Sequence, residues 1–175
     1  MEQGEWSRIF QTEIETLNRK EHTWHLEFDE NIDPNNPKMG WKKYFKKTSA
    51  RFSCTSCRRS WPSNRVMVVF HMRLVNGQGT VKVRPLRQNC KRCPNAQMVK
   101  PNVESDNIQV LMETLMVKIR IKCYQEDLGE QNKMAISLDV KSPHEPNHSS
   151  PPLCSLCIMD LRCSPSASDH ASRFH

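Results

Sequence analysis

Three Cys-x-x-Cys pairs constrain this chain more than any other feature: Cys54 with Cys57, Cys90 with Cys93, and Cys154 with Cys157. At this spacing a tight backbone turn aims two sulfurs at one point, and two such turns supply the four thiolates that a tetrahedral structural zinc ion requires. The first two pairs bracket a predicted hairpin. The gap between them exceeds the usual zinc-ribbon spacing, but a hairpin returns on itself, so its ends meet. Cys54, Cys57, Cys90 and Cys93 are therefore candidate ligands of one Zn2+ site. A disulfide scaffold is the alternative use of the eight cysteines. It needs an oxidising compartment, and the opening Met-Glu-Gln-Gly-Glu-Trp-Ser-Arg does not read as a signal peptide.

The third pair sits in a proline-rich stretch with Cys163 and His144. Three sulfurs and one imidazole nitrogen suit a second zinc site, His144 with Cys154, Cys157 and Cys163. His148 competes as the nitrogen ligand, and Cys123 is a remote candidate. The alternative is that the third pair joins the first site. Two closed sites give an expectation of two Zn2+ ions, and metal binding would contribute directly to folding a chain whose own core is small.

Charge is partitioned. The formal net charge is +7, yet sixteen Lys and Arg fall between Lys38 and Lys100, and none of the 19 acidic residues does. Some of this is local chemistry. A zinc ion with four thiolates carries a charge of about −2, which Arg58, Arg59, Lys91 and Arg92 beside the knuckles offset while favouring the thiolate form. The surplus, with Lys42, Lys43, Lys46 and Lys47, points to an anionic partner: acidic protein segments, lipid headgroups or nucleic acid. A merely solvated surface is the alternative. The apolar run Val66–Phe70 is far short of a membrane span.

Periodicity places the remaining elements. Trp6, Ile9, Phe10, Ile14 and Leu17 recur at helical steps, predicting an amphipathic helix. Thr23–Phe28 alternates as a half-buried strand, and Asp33-Pro34-Asn35-Asn36-Pro37 is a loop. The rings of Trp41, Tyr44 and Phe45 among four lysines read as core with snorkelling lysines in preference to a base-stacking surface. Arg65–Leu74 and Thr80–Arg87 are strands joined by a turn over Asn76-Gly77-Gln78-Gly79, and Pro85 marks the second as an edge or a bulge. Trp61 is expected to pack over the metal site, and His71 to be a satisfied strand histidine. Ser105 is a predicted N-cap for a helix to about Tyr124 with an Ile108, Leu111, Leu115, Ile119 stripe. On that helix Cys123 is expected to be a buried thiol. Met134–Val140 reads as a last strand. The expected class is α+β: a small zinc-stabilised antiparallel sheet of zinc-ribbon-like hairpins packed against an N-terminal helix and one long helix. That domain covers residues 1–163, with a disordered tail over 164–175.

Several residue groups in order carry a family resemblance: Trp24, Gly40-Trp41 with Tyr44, Arg51-Phe52-Ser53-Cys54 to Cys57, Arg59-Ser60-Trp61, Phe70-His71-Met72, Cys90 to Cys93, Lys122-Cys123-Tyr124, Pro143-His144-Glu145, and Cys154, Cys157 and Cys163. The chain resembles the receptor-transporting protein family, whose domain is named for its three Cys-x-x-Cys pairs. The resemblance implies a cytosol-facing zinc domain that helps G-protein-coupled receptors of odorant and taste type reach the cell surface. A second branch resembles interferon-induced antiviral proteins with RNA-binding properties. Many members carry a C-terminal transmembrane anchor, and this sequence departs there, stopping in Ser164–His175. An enzyme with a small-molecule substrate is the weakest reading. No His-Glu-x-x-His occurs, and His25-Leu26-Glu27 lacks the Pro-Cys-x-x-Cys that a zinc deaminase needs. The Cys-x-x-Cys pairs also lack the βαβ context of a thiol redox enzyme.

Overall fold

The computed structural model describes residues 2–129. Helix α1 (Glu2–Ile14) runs into a 3-10 turn (Glu15–Leu17), followed by strands β1 (Thr23–Phe28), β2 (Lys42–Ser53), β3 (Ser60–Val75) and β4 (Gln78–Pro85), then helix α2 (Ser105–Cys123). The predicted strand Met134–Val140 and the tail 164–175 lie outside the described residues.

The strands form one sheet in the order β1-β4-β3-β2. β2 with β3 and β3 with β4 are antiparallel. β1 joins β4 in parallel, so the sheet is mixed and not purely antiparallel as the hairpin pattern suggested. Asn76 and Gly77 both have positive φ, and together they make the β3–β4 turn. A two-residue turn of this kind matches the twist of the flanking strands.

Gly79 belongs to β4 and not to the turn. A Cβ there would stand 2.0 Å from the Trp24 ring, which lies against the glycine backbone. Pro85 is the last residue of β4. β4 is an interior strand, and its pairing with β1 ends at Val83, so the proline costs no hydrogen bond on that side. β2 was not foreseen as a strand. Its edge position leaves Lys42, Lys43, Lys47 and Arg51 in water, and only Tyr44, Ala50 and Phe52 are buried, with a register shift between Thr48 and Ala50. Lysines on an edge also discourage pairing with other chains.

The core lies between one sheet face and the two helices. Tyr44, Phe52, Val66, Val68, Phe70, Met72, Val81 and Val83 meet Trp6, Ile9 and Phe10 of α1 and Ile108, Leu111, Met112, Leu115 and Ile119 of α2. Each such side chain contributes roughly 1.5–3 kcal/mol on leaving water. Lys118 of α2 is buried as well, with its ammonium 5.1 Å from the Tyr44 ring centre. Glu104, not Ser105, occupies the N-cap position of α2, without a side-chain capping hydrogen bond, while the Ser105 hydroxyl donates to Glu5 on α1. Beyond α2, the Tyr124 hydroxyl accepts from Trp24 Nε1 at 3.1 Å and lies 2.8 Å from His22 Nδ1, which fastens the end of the helix to β1.

β1 and β2 occupy opposite edges, so residues 29–41 must cross the second sheet face. This strap is acidic where the face is basic. Lys82 Nζ lies 2.7 Å from Asp29 Oδ2, and Arg87 and Lys100 approach Glu30 at 3.5 and 3.2 Å. Arg84 donates to the Ile32 carbonyl and Lys43 to that of Asn35. Beneath the strap His71 is 3 % exposed, and its Nε2 lacks a partner among the described residues, so it is not the satisfied histidine expected. Burial disfavours its cation and holds its pKa below the usual 6.5.

Two outcomes follow from this packing. Gly79→Ala should destabilise the domain by about 3 kcal/mol in urea unfolding, because the methyl collides with a buried indole. The His71 imidazole should titrate below 6.5 by NMR. The unfolded chain takes up that proton first, so this contribution to stability is complete above pH 6.5 and is lost as pH falls through the lower folded value.

Candidate metal centre

Both knuckles lie at the same end of the sheet. The first, Cys54 to Cys57, is the turn of the β2–β3 hairpin, closed where Ser53 pairs with Ser60. Cys54 N–H donates to the Arg59 carbonyl at 2.8 Å, and Arg58 N–H returns to the Cys54 carbonyl at 3.0 Å. Arg58 takes a positive φ of 59° to complete the turn, a conformation uncommon for a residue with a side chain. The long excursion through β3 and β4 then brings the chain back. β4 ends at Pro85 opposite Val68, and the following residues continue along β3 toward the first knuckle, with Leu86 N–H donating to the Met67 carbonyl.

Gln88 fixes the final approach. It is 7 % exposed, accepts from Trp61 Nε1 at 3.3 Å, and donates from Nε2 to Ser63 Oγ at 3.0 Å. Its backbone pairs with Val99 in both directions, closing a loop around Cys90 to Cys93. Sequence reasoning did not single out Gln88. A lone glutamine gives no signal until its partners on another strand are known. Trp61 does not act as a lid alone. It stacks on Phe52 at 5.4 Å under the Arg59 guanidinium, forming a wall between the core and the knuckles.

The sulfurs of Cys54, Cys57, Cys90 and Cys93 all lie within 4.8 Å of one another. Cys57 and Cys90 are 3.8 Å apart. A tetrahedral zinc ion with sulfur ligands at about 2.3 Å sets neighbouring sulfurs about 3.8 Å apart. The residues present therefore fit the ion. Cys54 and Cys90 are buried, while Cys57 is exposed and Cys93 intermediate, so the site lies at the surface with its inner half dry.

The electrostatics favour a dication. The backbone N–H of Cys57, and then that of Ser56, point at the Cys54 sulfur and pull its pKa down to about 6. The Cys93 thiol is pushed up to about 12, first by its hydrogen bond with Cys57 and then by burial. Without metal, one thiolate is welcome and further ones repel each other. A divalent cation reverses that repulsion and holds all four ionised.

Cys123 stands apart. It is half-buried on α2 and outside the four-sulfur group, and burial pushes its thiol up to about 11. His71 is likewise not part of the cluster. The second set, His144, Cys154, Cys157 and Cys163, and the competing His148 lie outside the described residues.

The basic residues named from sequence divide by location. Arg58, Lys91 and Arg92 are exposed on the knuckles, with Arg59 half-buried over Trp61. Lys42, Lys43, Lys46 and Lys47 lie along β2, away from the knuckles. The acid-free count overstated the open positive surface, because residues 29–36 reach across to occupy Lys43, Lys82, Arg84, Arg87 and Lys100. The aromatic residues among the lysines are mostly structural. Tyr44 and Phe52 are buried, and Tyr44 stacks on Phe70.

Comparison with known proteins adds to this geometry. A family model for a zinc-binding domain of the 3CxxC zinc-ribbon type matches residues 47–159. Receptor-transporting protein 3 of Mus musculus is 36 % identical over 159 residues, covering 89 % of this chain and 32 % of that protein. Receptor-transporting protein 2 of Mus musculus is 33 % identical over 72 % of this chain and 57 % of its own length. Receptor-transporting protein 4 of Homo sapiens is 30 % identical over 77 % and 55 %. The chain thus spans from about a third to somewhat over half of these relatives. No solved structure matches it. Among the described residues no helix is long and apolar enough to cross a membrane.

Cys54→Ser and Cys90→Ser should each lose the zinc ion of this site and unfold the domain, because each leaves an incomplete thiolate set at the point where hairpin and loop meet. Cys123→Ser should retain zinc and cost no more than about 1 kcal/mol. Zinc content by atomic absorption, with circular dichroism, separates the two classes.

Proposed function

We propose, since the chain belongs to the receptor-transporting protein family of 3CxxC zinc-binding domains, that it is a zinc-held adaptor promoting delivery of membrane receptors of the G-protein-coupled class to the cell surface. Kinship carries this reading: relatives over most of the chain are named for receptor transport. The geometry supports the adaptor class. Four thiolates close a tetrahedral ion and leave no coordination position for a reacting water, so the metal's role is to hold a shape. Cys54, Cys57, Cys90 and Cys93 are its ligands. His144, Cys154, Cys157 and Cys163 hold a second ion.

The shape presents cations. Arg58, Arg59, Lys91 and Arg92 stand on the two knuckles, and an acidic cytoplasmic segment of a receptor is the complement we infer for them. Unpaired thiols arranged for metal fit the reducing cytoplasmic side. RNA binding draws less support, since Tyr44 and Phe52 lie in the core and Trp61 is sandwiched between Phe52 and Arg59, which leaves few ring faces for bases.

Co-expression with a chemosensory receptor, scored by surface label, should raise delivery over empty vector. Lys91→Glu with Arg92→Glu should remove most of that gain, with zinc content assayed in parallel because the same cations also offset the thiolate charge. No gain from the well-expressed parent protein would sink the adaptor reading. Native mass spectrometry of the full chain should show two zinc ions, lost on chelation together with the fold.

A further inference from the structure

The sheet has two unlike ends. β3 runs sixteen residues from the first knuckle to the β3–β4 turn, about 50 Å at strand rise. The metal end is polar and cationic. The far end combines cations with exposed apolar groups. Met39 is 97 % exposed and Val75 is 48 % exposed, two of the three large apolar residues so exposed among the described residues. They share one rim. Gly40, at φ +83°, turns the chain so that its α-carbon faces the Arg73 side chain. The next residue, Trp41, is half-buried, with the Arg73 guanidinium 4.7 Å and the Lys82 ammonium 5.5 Å from its ring centre. Val75 follows Arg73 by two positions on β3 and so projects from the same face. Lys38 lies next to this tip and is exposed, whereas Lys42 pairs with Met72 and so projects on the helix side of the sheet.

On the strap side of this end the carboxylates turn inward to the strap and to β4. Asp29 is held by Lys82, and the Asp33 carboxylate accepts from the Asn35 backbone and the Asn36 side chain. Lys38, Arg73 and Lys82 thus stand around a bare methionine, an indole and a valine.

We propose that this end of the domain docks on an anionic lipid surface. Met39 enters the headgroup–acyl boundary with Val75 at its margin. Trp41 sits at headgroup depth, where indole is favoured. Lys38 and Arg73 contact anionic headgroups. A scattered exposed apolar residue needs no explanation, but this one is grouped with an interfacial aromatic and several cations, the combination that peripheral membrane surfaces use. An acidic peptide would satisfy the cations and leave Met39 in water. A nucleic acid would need an open ring face, and the Trp41 ring already has two cations against it. In this arrangement the knuckles, about 50 Å away along β3, remain open to other partners. The inference does not depend on the adaptor reading, because vesicle binding is measured without any receptor.

The test is co-sedimentation of the zinc-loaded full chain with phosphatidylcholine vesicles, with and without phosphatidylserine. Binding is expected only with phosphatidylserine, weakening as salt is raised. Met39→Glu should reduce it by at least about fivefold, as should Arg73→Glu, by the usual worth of one cation near such a surface. Lys91→Glu with Arg92→Glu should leave it unchanged. Met39 is almost fully exposed, so Met39→Glu tests docking without threatening the fold, and unaltered circular dichroism and zinc content confirm this. Absence of binding to phosphatidylserine vesicles overturns the proposal. So does binding that survives Met39→Glu, or a loss that follows the knuckle pair instead.

Discussion

The four sulfurs at one end of the sheet are the constraint on which the rest depends. Their convergence requires the β2–β3 turn and the loop after β4 to lie side by side, although 33 residues separate Cys57 from Cys90. Loop closure over that distance costs entropy that a few knuckle contacts would not offset alone. A divalent cation offsets it, because it converts four mutually repelling thiolates into a bonded set. The remainder of the sheet then acts as the frame that keeps the two turns in register. The Gln88 bridge to Trp61 and Ser63 is the local joint of that frame.

The second organising force is electrostatic and internal. A chain with its cations concentrated in one half would repel itself on folding. This fold answers by carrying acidic residues 29–36 across the sheet on the connection from β1 to β2. The strap covers the face opposite the helices, buries His71 and takes several cations out of the free surface. Positive charge is left open on the knuckles and along the β2 edge. Which cations stay open follows from the contacts the strap makes, not from the total charge.

The helices complete the domain by ordinary means. Their apolar stripes bury one sheet face, and the Tyr124, Trp24 and His22 contacts lock the end of α2 to the parallel strand β1. β1 itself depends on Gly79, whose missing side chain lets the Trp24 ring lie flat on β4. The close packing of β1 on β4 at this point thus needs a residue without a side chain.

Much of this was legible in the sequence. Cys-x-x-Cys spacing picked out the four cysteines whose sulfurs the fold brings together, because metal chemistry restricts both residue type and interval. Periodicity located α1, β1, the β3–β4 hairpin and α2, because amphipathic burial leaves a repeat in the chain. What remained hidden depended on neighbours distant in sequence. β2 was missed because an edge strand buries only part of one face and fills the rest with lysine. The parallel partner of β1, the role of Gly79 and the Gln88 joint exist only once strands are adjacent. Net charge also misled on its own. Sequence counts cations, but only the fold decides which of them an acidic strap has already neutralised, since Coulomb energy depends on distance in space and not along the chain.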